Sequence, residues 1–492
     1  MGTPDVEKTS SVFDDRAPKS RIQSWFASTT EFLSRWGVET NGIDPILPED
    51  RTDTRLYQMF FVWFSSNINI LTFGTGSAGP AFFGLSLRDS FIILLIVDII
   101  SCAIPAYFAV FGPKLGMRSM VLARYSWGYY GSILPSAFTV FSMQGFLILN
   151  CIIGGQTLAS ISSHLDDTLG IVIIGVLSLL VTFCGYRVIH WYEMVAWVPS
   201  AIAFIVMLGV GGKRLTEAPI PPPPTTSAIL SFATTTASSV ISWCMMSPDY
   251  GVYHTNKATS MRVFLYSYAG FFIASLAAHM LGAAFAAAAP GVPSWNAGFD
   301  EGNSVGGLVE AVLSASGGFG KFLTVLVALS IPSACAPAMY TFASSLMTVH
   351  TWFAKVPRYV YAVISEAILI PVAIVGATHF YTTFVDVLSV IGYWSTIFAA
   401  IVLVEHFIFR KNDWTRYDLS QWCKPRQLPP GVAATIAFLC ACGIIVPCMS
   451  QAWYVGPIAN SGTGDIGVLV GFALPALLFP ALRAGELAIF GR

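Results

Sequence analysis

Phe146 and Asn150 lie one helical turn apart in the apolar stretch "QGFLILNCIIGGQ", residues 144–156. Residues four positions apart share one face of a helix. An aromatic ring and an amide on one face can bind a planar heterocycle, because the ring provides a stacking surface and the amide pairs with the polar edge of the ligand. The competing role for a single Asn in an apolar helix is a hydrogen bond to a neighbouring helix.

Ionisable groups also occur inside apolar segments, where a charge costs roughly 2.5 to 3.5 kcal/mol at a helix centre and therefore requires an explanation. They belong to Asp98, Glu193, Asp249, His279, Glu366 and Asp386. Asp249 follows Pro248, so its carboxyl group can either exchange protons with an aqueous cavity at a helix break or cap the helix that restarts there. Glu193 can either couple transport to an ion or pair with Arg187 or His190.

Membrane-spanning helices must position these residues. Of the 492 residues, 55% are hydrophobic and only 11% charged, and the mean hydropathy is +0.67, whereas soluble proteins have about 25% charged residues. Twelve apolar segments are each long enough to cross a hydrocarbon core about 30 Å thick. We number them spans 1 to 12: 57–79, 90–111, 134–160, 169–185, 191–210, 232–250, 264–290, 322–347, 359–376, 384–408, 431–448 and 465–482.

The basic residues predict the orientation, because Lys and Arg near span ends tend to remain cytoplasmic. With the N-terminus inside, all but four of the 26 Lys and Arg lie on the cytoplasmic side. We therefore expect a cytoplasmic N-terminal region over 1–55, a membrane domain over 56–482 and a cytoplasmic tail over 483–492. Within the first region, apolar residues on one helical face make an amphipathic helix over 21–36 a candidate.

Two spans contain residues that can interrupt a helix. Span 1 carries "TFGTGSAGP" (72–80) and span 6 carries "WCMMSPDYG" (243–251). The alternative role for the glycines is close helix packing. The polyproline stretch "APIPPPPTT" (218–226) separates two groups of five spans, and discontinuous helices at matching positions are typical of transporters with inverted repeats. We predict an all-α polytopic membrane protein with repeats over about 56–212 and 230–410 and two extra helices over about 431–482.

Three stretches resemble a known family: "GIDPILPEDRTDTRLYQMFFVWFSSNIN" leading into span 1, "FGPKLGMRSMVLARYSWG" (111–128) and "GYRVIHWYEMVAWVPS" (185–200). They are similar to the fungal purine-cytosine permeases, a branch of the nucleobase-cation-symport family. The likeness covers roughly residues 40–480. It implies a leucine-transporter-like fold of twelve helices and proton-coupled uptake of nucleobases at the plasma membrane.

The resemblance also implies site residues. Asn150 matches an Asn of the family site, Phe146 stands where Trp is typical, and Trp243 matches an aromatic residue that sandwiches the base. Ser66 and Thr72 of span 1, together with Asn67, can direct polar groups at the same cavity. The hydroxyl groups of Ser330 and Ser333 lie in span 8, where sodium-coupled relatives of the wider fold bind the ion; for a fungal relative this is the minor interpretation beside proton coupling.

Span 8 departs from the family pattern. The family carries Asn-x-Pro-Asn, then an apolar residue and Tyr, whereas this chain has "CAPAMY" at 335–340. Pro337 and Tyr340 match, but Cys335 and Ala338 stand in place of both amides. A site that pairs with the polar edge of a base loses discrimination without its partners, so the substrate can differ from cytosine or adenine.

The leading hypothesis is therefore a proton symporter that imports a purine or pyrimidine base of the cytosine, adenine, guanine or hypoxanthine type, or a related planar heterocycle. Transport of another ring such as vitamin B6, or a non-transporting sensor derived from a permease, are the alternatives. A channel lacks support because the polar residues are scattered. The histidines form no HExxH motif and no GxSxG elbow occurs, so no enzyme activity, metal or cofactor is expected.

Overall fold

The computed structural model describes residues 43–183, 186–350, 352–353 and 356–492, and only the backbone of 182, 183, 186–194, 301 and 358. Each predicted span coincides with a helix or a pair of helices. Spans 1 to 6 contain α1 (Tyr57–Asn67) and α2 (Ile70–Ala81), α3 (Leu87–Ser101) and α4 (Ala103–Leu115), α7 (Ile133–Ala159), α8 (Asp167–Phe183), α9 (Tyr186–Gly211) and α10 (Thr226–Ile241). Spans 7 to 12 contain α11 (Ser260–Ala288), α14 (Gly318–Val349), α15 (Arg358–Gly376), α16 (Phe380–Val404), α17 (Val432–Cys448) and α18 (Gly467–Phe490).

Shorter elements connect the spans. The segment between spans 2 and 3 folds into α5 (Ser119–Leu122) and α6 (Arg124–Gly131), and the segment between spans 7 and 8 into α12 (Pro293–Phe299) and α13 (Val305–Leu313). A small antiparallel hairpin of β1 (Ser450–Gln451) and β2 (Tyr454–Val455) lies between spans 11 and 12. Helix α13 packs closely on span 3, since a Cβ at Gly306 would lie 2.4 Å from the backbone nitrogen of Thr157.

Span 1 is broken, but not at the glycines that suggested a break. The interruption lies at Ile68 and Asn69, and the stretch 72–80 is helical within α2. Asn69 begins α2 as its N-cap, because its Oδ1 accepts a hydrogen bond of 2.9 Å from the Thr72 N–H. The prediction of unwinding at the glycines was wrong. These residues serve close packing instead, which was the alternative interpretation.

Span 6 breaks where the sequence indicated. After α10 the chain forms two short 3₁₀ turns, Ser242–Met245 and Ser247–Tyr250, separated at Met246. Pro248 lies at the start of the second turn, where its missing N–H costs no helical hydrogen bond. The breaks in spans 1 and 6 border a common cavity, since Asn69 and Met246 both line it.

The packing of the spans agrees with a membrane environment. Among the described residues, eight helical stretches are long and apolar enough to cross a membrane, one of them covering spans 9 and 10 together, and three shorter apolar helices join them. Large apolar side chains such as Ile96, Ile100 and Ile205 are exposed, while polar ones such as Asp98 are buried. The all-α, multi-pass architecture is thus confirmed. The number of crossings, the inverted repeat and the domain limits stay predictions, and the candidate helix at 21–36 lies outside the described residues.

Candidate substrate site

A small cavity lies between the breaks in spans 1 and 6 and the middles of spans 3, 7 and 8. Its polar and aromatic lining includes Ser66, Asn67, Asn69, Thr72, Thr75, Phe146, Asn150, Ser239, Trp243, Ser275 and His279. Met143, Met246, Ala334, Ala338 and Leu388 contribute apolar surface. An apolar pocket with a few convergent polar groups is the usual form of a small-molecule site.

Span 3 provides a ring and an amide to this cavity. The Asn150 Nδ2 atom donates to the Phe146 carbonyl oxygen at 2.9 Å, and this bond determines which end of the amide is the carbonyl. The Asn150 Oδ1 atom is buried and has no hydrogen-bond partner among the described residues. A buried acceptor without a partner is costly, so this oxygen is available to a ligand donor.

The ring of Phe146 faces the ring of Trp243 across the cavity. Their centroids are 6.4 Å apart and their planes lie 27° from parallel. Two stacking contacts of about 3.5 Å each require about 7 Å between rings. A slight separation of the two side chains therefore allows one planar ring to insert between them. Trp63 supports Trp243 from behind, with an edge contact of 5.9 Å between centroids.

The broken part of span 1 contributes polar groups to the same cavity. Ser66 and Thr72 line it, as expected, and so does Asn67. The Ser66 hydroxyl group donates its hydrogen to the Val62 carbonyl oxygen at 2.7 Å. It can therefore act towards a ligand only as a hydrogen-bond acceptor. Asn69 and Thr75 line the cavity too, although the sequence analysis did not select them. The preference of Asn for N-cap positions is the signal that identifies Asn69.

Span 8 presents one of the three selected residues to the cavity. Ala338 lines it, whereas Cys335 and Pro337 do not. The thiol of Cys335 is buried against that of Cys151 on span 3. The two positions at which the resemblance expects amides therefore differ in environment: one faces the cavity and the other faces a neighbouring span.

Three of the four residues selected for ion coupling, Asp249, Ser330 and Ser333, lie outside the cavity lining. The Asp249 Oδ1 atom accepts a hydrogen bond of 2.7 Å from the Ser119 N–H at the start of α5. Ser330 donates to the Val327 carbonyl oxygen and lies 3.1 Å from the Ser200 hydroxyl, and Ser333 donates to the Ser330 carbonyl oxygen. The Glu193 side chain lies outside the described residues.

The four other ionisable residues of the apolar segments have distinct surroundings. Asp98 and His279 form a buried pair, with 2.9 Å between Oδ2 and Nδ1, and His279 lines the cavity. Glu366 is buried beside span 4, where a Cβ at Gly175 would lie 2.3 Å from its Oε1. Asp386 accepts from the Ala452 N–H at 3.1 Å. Within the described part of the chain, no group of three or more His, Cys, Asp or Glu side chains has the arrangement of a metal site.

Comparison with known proteins identifies the family of this chain. Residues 45–471 match the family described as permease for cytosine/purines, uracil, thiamine, allantoin. The chain belongs to this permease family. It is 31% identical to the purine-cytosine permease FcyB of Emericella nidulans over 99% of its own length and 97% of that protein. It is 26% identical to the vitamin B6 transporter TPN1 of Saccharomyces cerevisiae, over 96% of its own length and 91% of that protein.

Solved structures of other transporters have a similar fold. A structure of MHP1, a nucleobase-cation-symport-1 family transporter in a closed conformation with bromovinylhydantoin bound, superimposes with a TM-score of 0.65 at 16% identity, covering 92% of this chain and 96% of MHP1. The expected transporter fold is therefore confirmed. Because the family consists of membrane permeases, the protein is a transporter and not an enzyme.

Proposed function

We propose that the protein is a secondary active transporter that imports a purine or pyrimidine base, or a related planar heterocycle, together with a proton. The observation that carries this proposal is the pair of near-parallel rings of Phe146 and Trp243, 6.4 Å apart, beside the unpaired Oδ1 of Asn150. A flat ring fits between the two aromatic faces, and a ring N–H or exocyclic amine can donate to the amide oxygen.

The substrate class is narrowed by the groups that surround the stacking pair. The polar groups of the cavity come from Asn, Ser and Thr side chains and from His279, and its span 8 wall carries the methyl group of Ala338. A small heterocycle with hydrogen-bonding groups along one edge matches this distribution. The 31% identity to a purine-cytosine permease over nearly the whole chain supports a nucleobase.

A second candidate substrate is a vitamin B6 ring. Ala338 faces the cavity at a position where the resemblance expects an amide, so one polar contact to a base is missing. The chain is also 26% identical to a protein named as a vitamin B6 transporter. A pyridine ring with hydroxyl groups can occupy the same stacking site and donate to Asn150.

The proposal extends to cellular arrangement and coupling. We place the protein in the plasma membrane with both termini cytoplasmic, residues 56–482 forming the transporter domain in two repeats and two extra spans. Proton coupling is preferred to sodium coupling. This preference rests on the resemblance to the fungal permeases.

Uptake in yeast that lacks its own base and pyridoxine permeases tests the proposal. Labelled cytosine, adenine, hypoxanthine and pyridoxine are assayed separately, with and without a protonophore, and with sodium replaced by choline. We expect accumulation of at least one compound that the protonophore abolishes and sodium removal leaves unchanged. Trp243→Ala at equal surface level is the matched negative control. Accumulation of none of these rings by surface-localised protein contradicts the proposal.

A further inference from the structure

The buried pair of Asp98 and His279 joins spans 2 and 7 beside the cavity. Both side chains are inaccessible to solvent, and Nδ1 of His279 lies 2.9 Å from Oδ2 of Asp98. Asp98 is eleven residues after the start of α3 at Leu87, which at 1.5 Å per residue places it about 16 Å into the membrane domain. The pair thus lies near the middle of the bundle, where an ionisable group is costly and usually functional.

We assign the tautomer of the imidazole ring from its hydrogen bond to Asp98, with the carboxyl group taken as ionised. A carboxylate accepts hydrogen bonds, so Nδ1 of His279 carries the hydrogen that it donates to Asp98. In neutral imidazole the other nitrogen then holds a lone pair. This Nε2 atom is buried and has no hydrogen-bond partner among the described residues. His279 itself lines the cavity, one turn after the cavity residue Ser275.

We propose that His279 is the proton-carrying residue of the transport cycle and that Asp98 is its positioning residue. This inference rests on the proposed proton symport and assigns the coupling site within it. In the outward-open state an O–H bond of hydronium in the cavity breaks, and its proton forms an N–H bond at the Nε2 lone pair, leaving water. In the inward-open state this N–H bond breaks and the proton forms an O–H bond with cytoplasmic water, giving hydronium.

A proton on Nε2 places a positively charged ring beside the Asp98 carboxylate, so that the buried pair is neutral overall. It also changes what the cavity offers to a ligand. Neutral His279 presents an acceptor at Nε2, whereas protonated His279 presents a donor. Together with the Asn150 acceptor, this donor complements a ring that carries both a donor and an acceptor. Proton and substrate binding therefore strengthen each other by the same factor.

The surroundings of the pair contain few competing ionisable groups. The thiol of Cys102 and the phenol of Tyr268 lie near the Asp98 carboxyl group, and Tyr268 donates to the Ile99 carbonyl oxygen at 2.9 Å. Helix α2 packs against span 7 and helix α10 packs against span 2, and neither carries an ionisable side chain. The other charged or titratable groups on elements packed against span 7 lie towards its ends or are bonded elsewhere: Tyr57, Arg88, Asp89, Tyr107, Lys114, Lys213, Arg214, Glu217, Arg262 and Tyr266.

Reconstituted protein separates coupling from binding. In proteoliposomes, labelled cytosine, adenine, hypoxanthine and pyridoxine are tested for exchange at zero gradient and for accumulation driven by an inward proton gradient. We expect His279→Gln, which keeps a side-chain N–H donor but cannot titrate, to exchange substrate within about threefold of the wild-type rate while its accumulation ratio falls to one. Asp98→Asn should accumulate at most a tenth of the wild-type amount. Glu366→Gln, a matched change of a buried carboxyl group outside the cavity lining, should accumulate normally.

The pH profile of binding adds a readout that a merely structural role does not move. Wild-type affinity should fall as the pH rises, with a limiting slope of tenfold per pH unit, because one proton is linked to substrate binding. In His279→Gln this slope should vanish. Full accumulation by His279→Gln overturns the assignment. So does loss of accumulation in Glu366→Gln together with normal accumulation in Asp98→Asn. Neither result contradicts proton symport itself.

A measurement without substrate keeps the two proposals distinguishable. Nitrogen NMR of ¹⁵N-histidine-labelled protein in nanodiscs, with His279 assigned by its absence in His279→Gln, should show a protonated Nδ1 and a lone-pair Nε2 that becomes protonated on acidification. This result supports the coupling site even if every tested ring fails to be transported, an outcome that rejects the proposed substrates. An Nε2 that carries hydrogen at all pH values overturns the inference.

Discussion

Gly76 of span 1 packs against the backbone of His279 in span 7 so closely that a Cβ at position 76 would lie 1.9 Å from the His279 carbonyl oxygen. A second such contact occurs between Gly282 and the Phe73 carbonyl oxygen, at 1.8 Å. The two helices therefore cross with backbone in contact, an arrangement that only glycine permits. The contact determines where the His279 side chain lies relative to the cavity.

Gly76→Ala should destabilise the protein. The added methyl group meets backbone atoms, which cannot rotate away, and overpacking of this kind costs about 1 to 3 kcal/mol. We expect a lower melting temperature in detergent and less protein at the cell surface. Gly209→Ala is the matched control, because a Cβ there meets no described atom within 4 Å. Equal melting temperatures for the two variants would contradict the packing argument.

Removal of either stacking ring should weaken substrate binding. Base–aromatic stacking is worth about 1 to 3 kcal/mol, so Phe146→Ala and Trp243→Ala should each raise the KM for uptake by about tenfold to a hundredfold. Trp243→Phe keeps a ring and should remain within about fivefold of the wild-type KM. Phe138→Leu removes a ring that stacks on Trp394 and does not line the cavity, so it controls for general loss of aromatic packing.

Asn150→Ala should remove one hydrogen bond to the substrate. A net loss of about 1.4 kcal/mol, within the usual range for such bonds, corresponds to a tenfold rise in KM. The matched control is the ligand itself: a base whose donor N–H is methylated should compete equally with uptake by wild type and by Asn150→Ala. If the methylated base distinguishes the two proteins, Oδ1 of Asn150 is not the acceptor.

Introducing Asn at positions 335 and 338 of span 8, where the chain departs from the family pattern, should have unequal effects. Ala338→Asn adds an amide to the cavity wall and should change the order of preference in a competition panel of cytosine, adenine and pyridoxine. Cys335→Asn buries an amide against Cys151, where an unpaired polar group costs about 1 to 3 kcal/mol, and should lower the melting temperature without changing that order. The opposite pattern would mean that position 335, not 338, faces the substrate.

Some of the features that form the cavity could be predicted from the sequence, and others could not. The spans could be predicted because an apolar run of sufficient length has few alternatives to a membrane helix. The break in span 6 could be predicted because Pro248 lacks a backbone donor. Phe146 and Asn150 were paired correctly because residues four apart share a helix face whatever the helix packs against.

Contacts between distant segments could not be obtained in this way. Glycines in an apolar helix serve unwinding or packing equally well, and only the neighbour of Gly76 decides between them. The difference between Ala338 and Cys335 depends on the rotation of span 8 against span 3. Asp249 has the sequence context of a coupling residue, yet its carboxylate is bound by the Ser119 N–H.

The sequence by itself determined the multi-pass helical class, the family resemblance and the local groups that can recognise a ring, because these follow from composition and short-range spacing. The tertiary structure alone decided which ionisable residues of the apolar segments meet. Asp98 and His279 are 181 residues apart in the chain, and no local pattern relates them. Their pairing results from the crossing of spans 2 and 7 beside the cavity, and a buried charge is stabilised by the partner that packing brings to it.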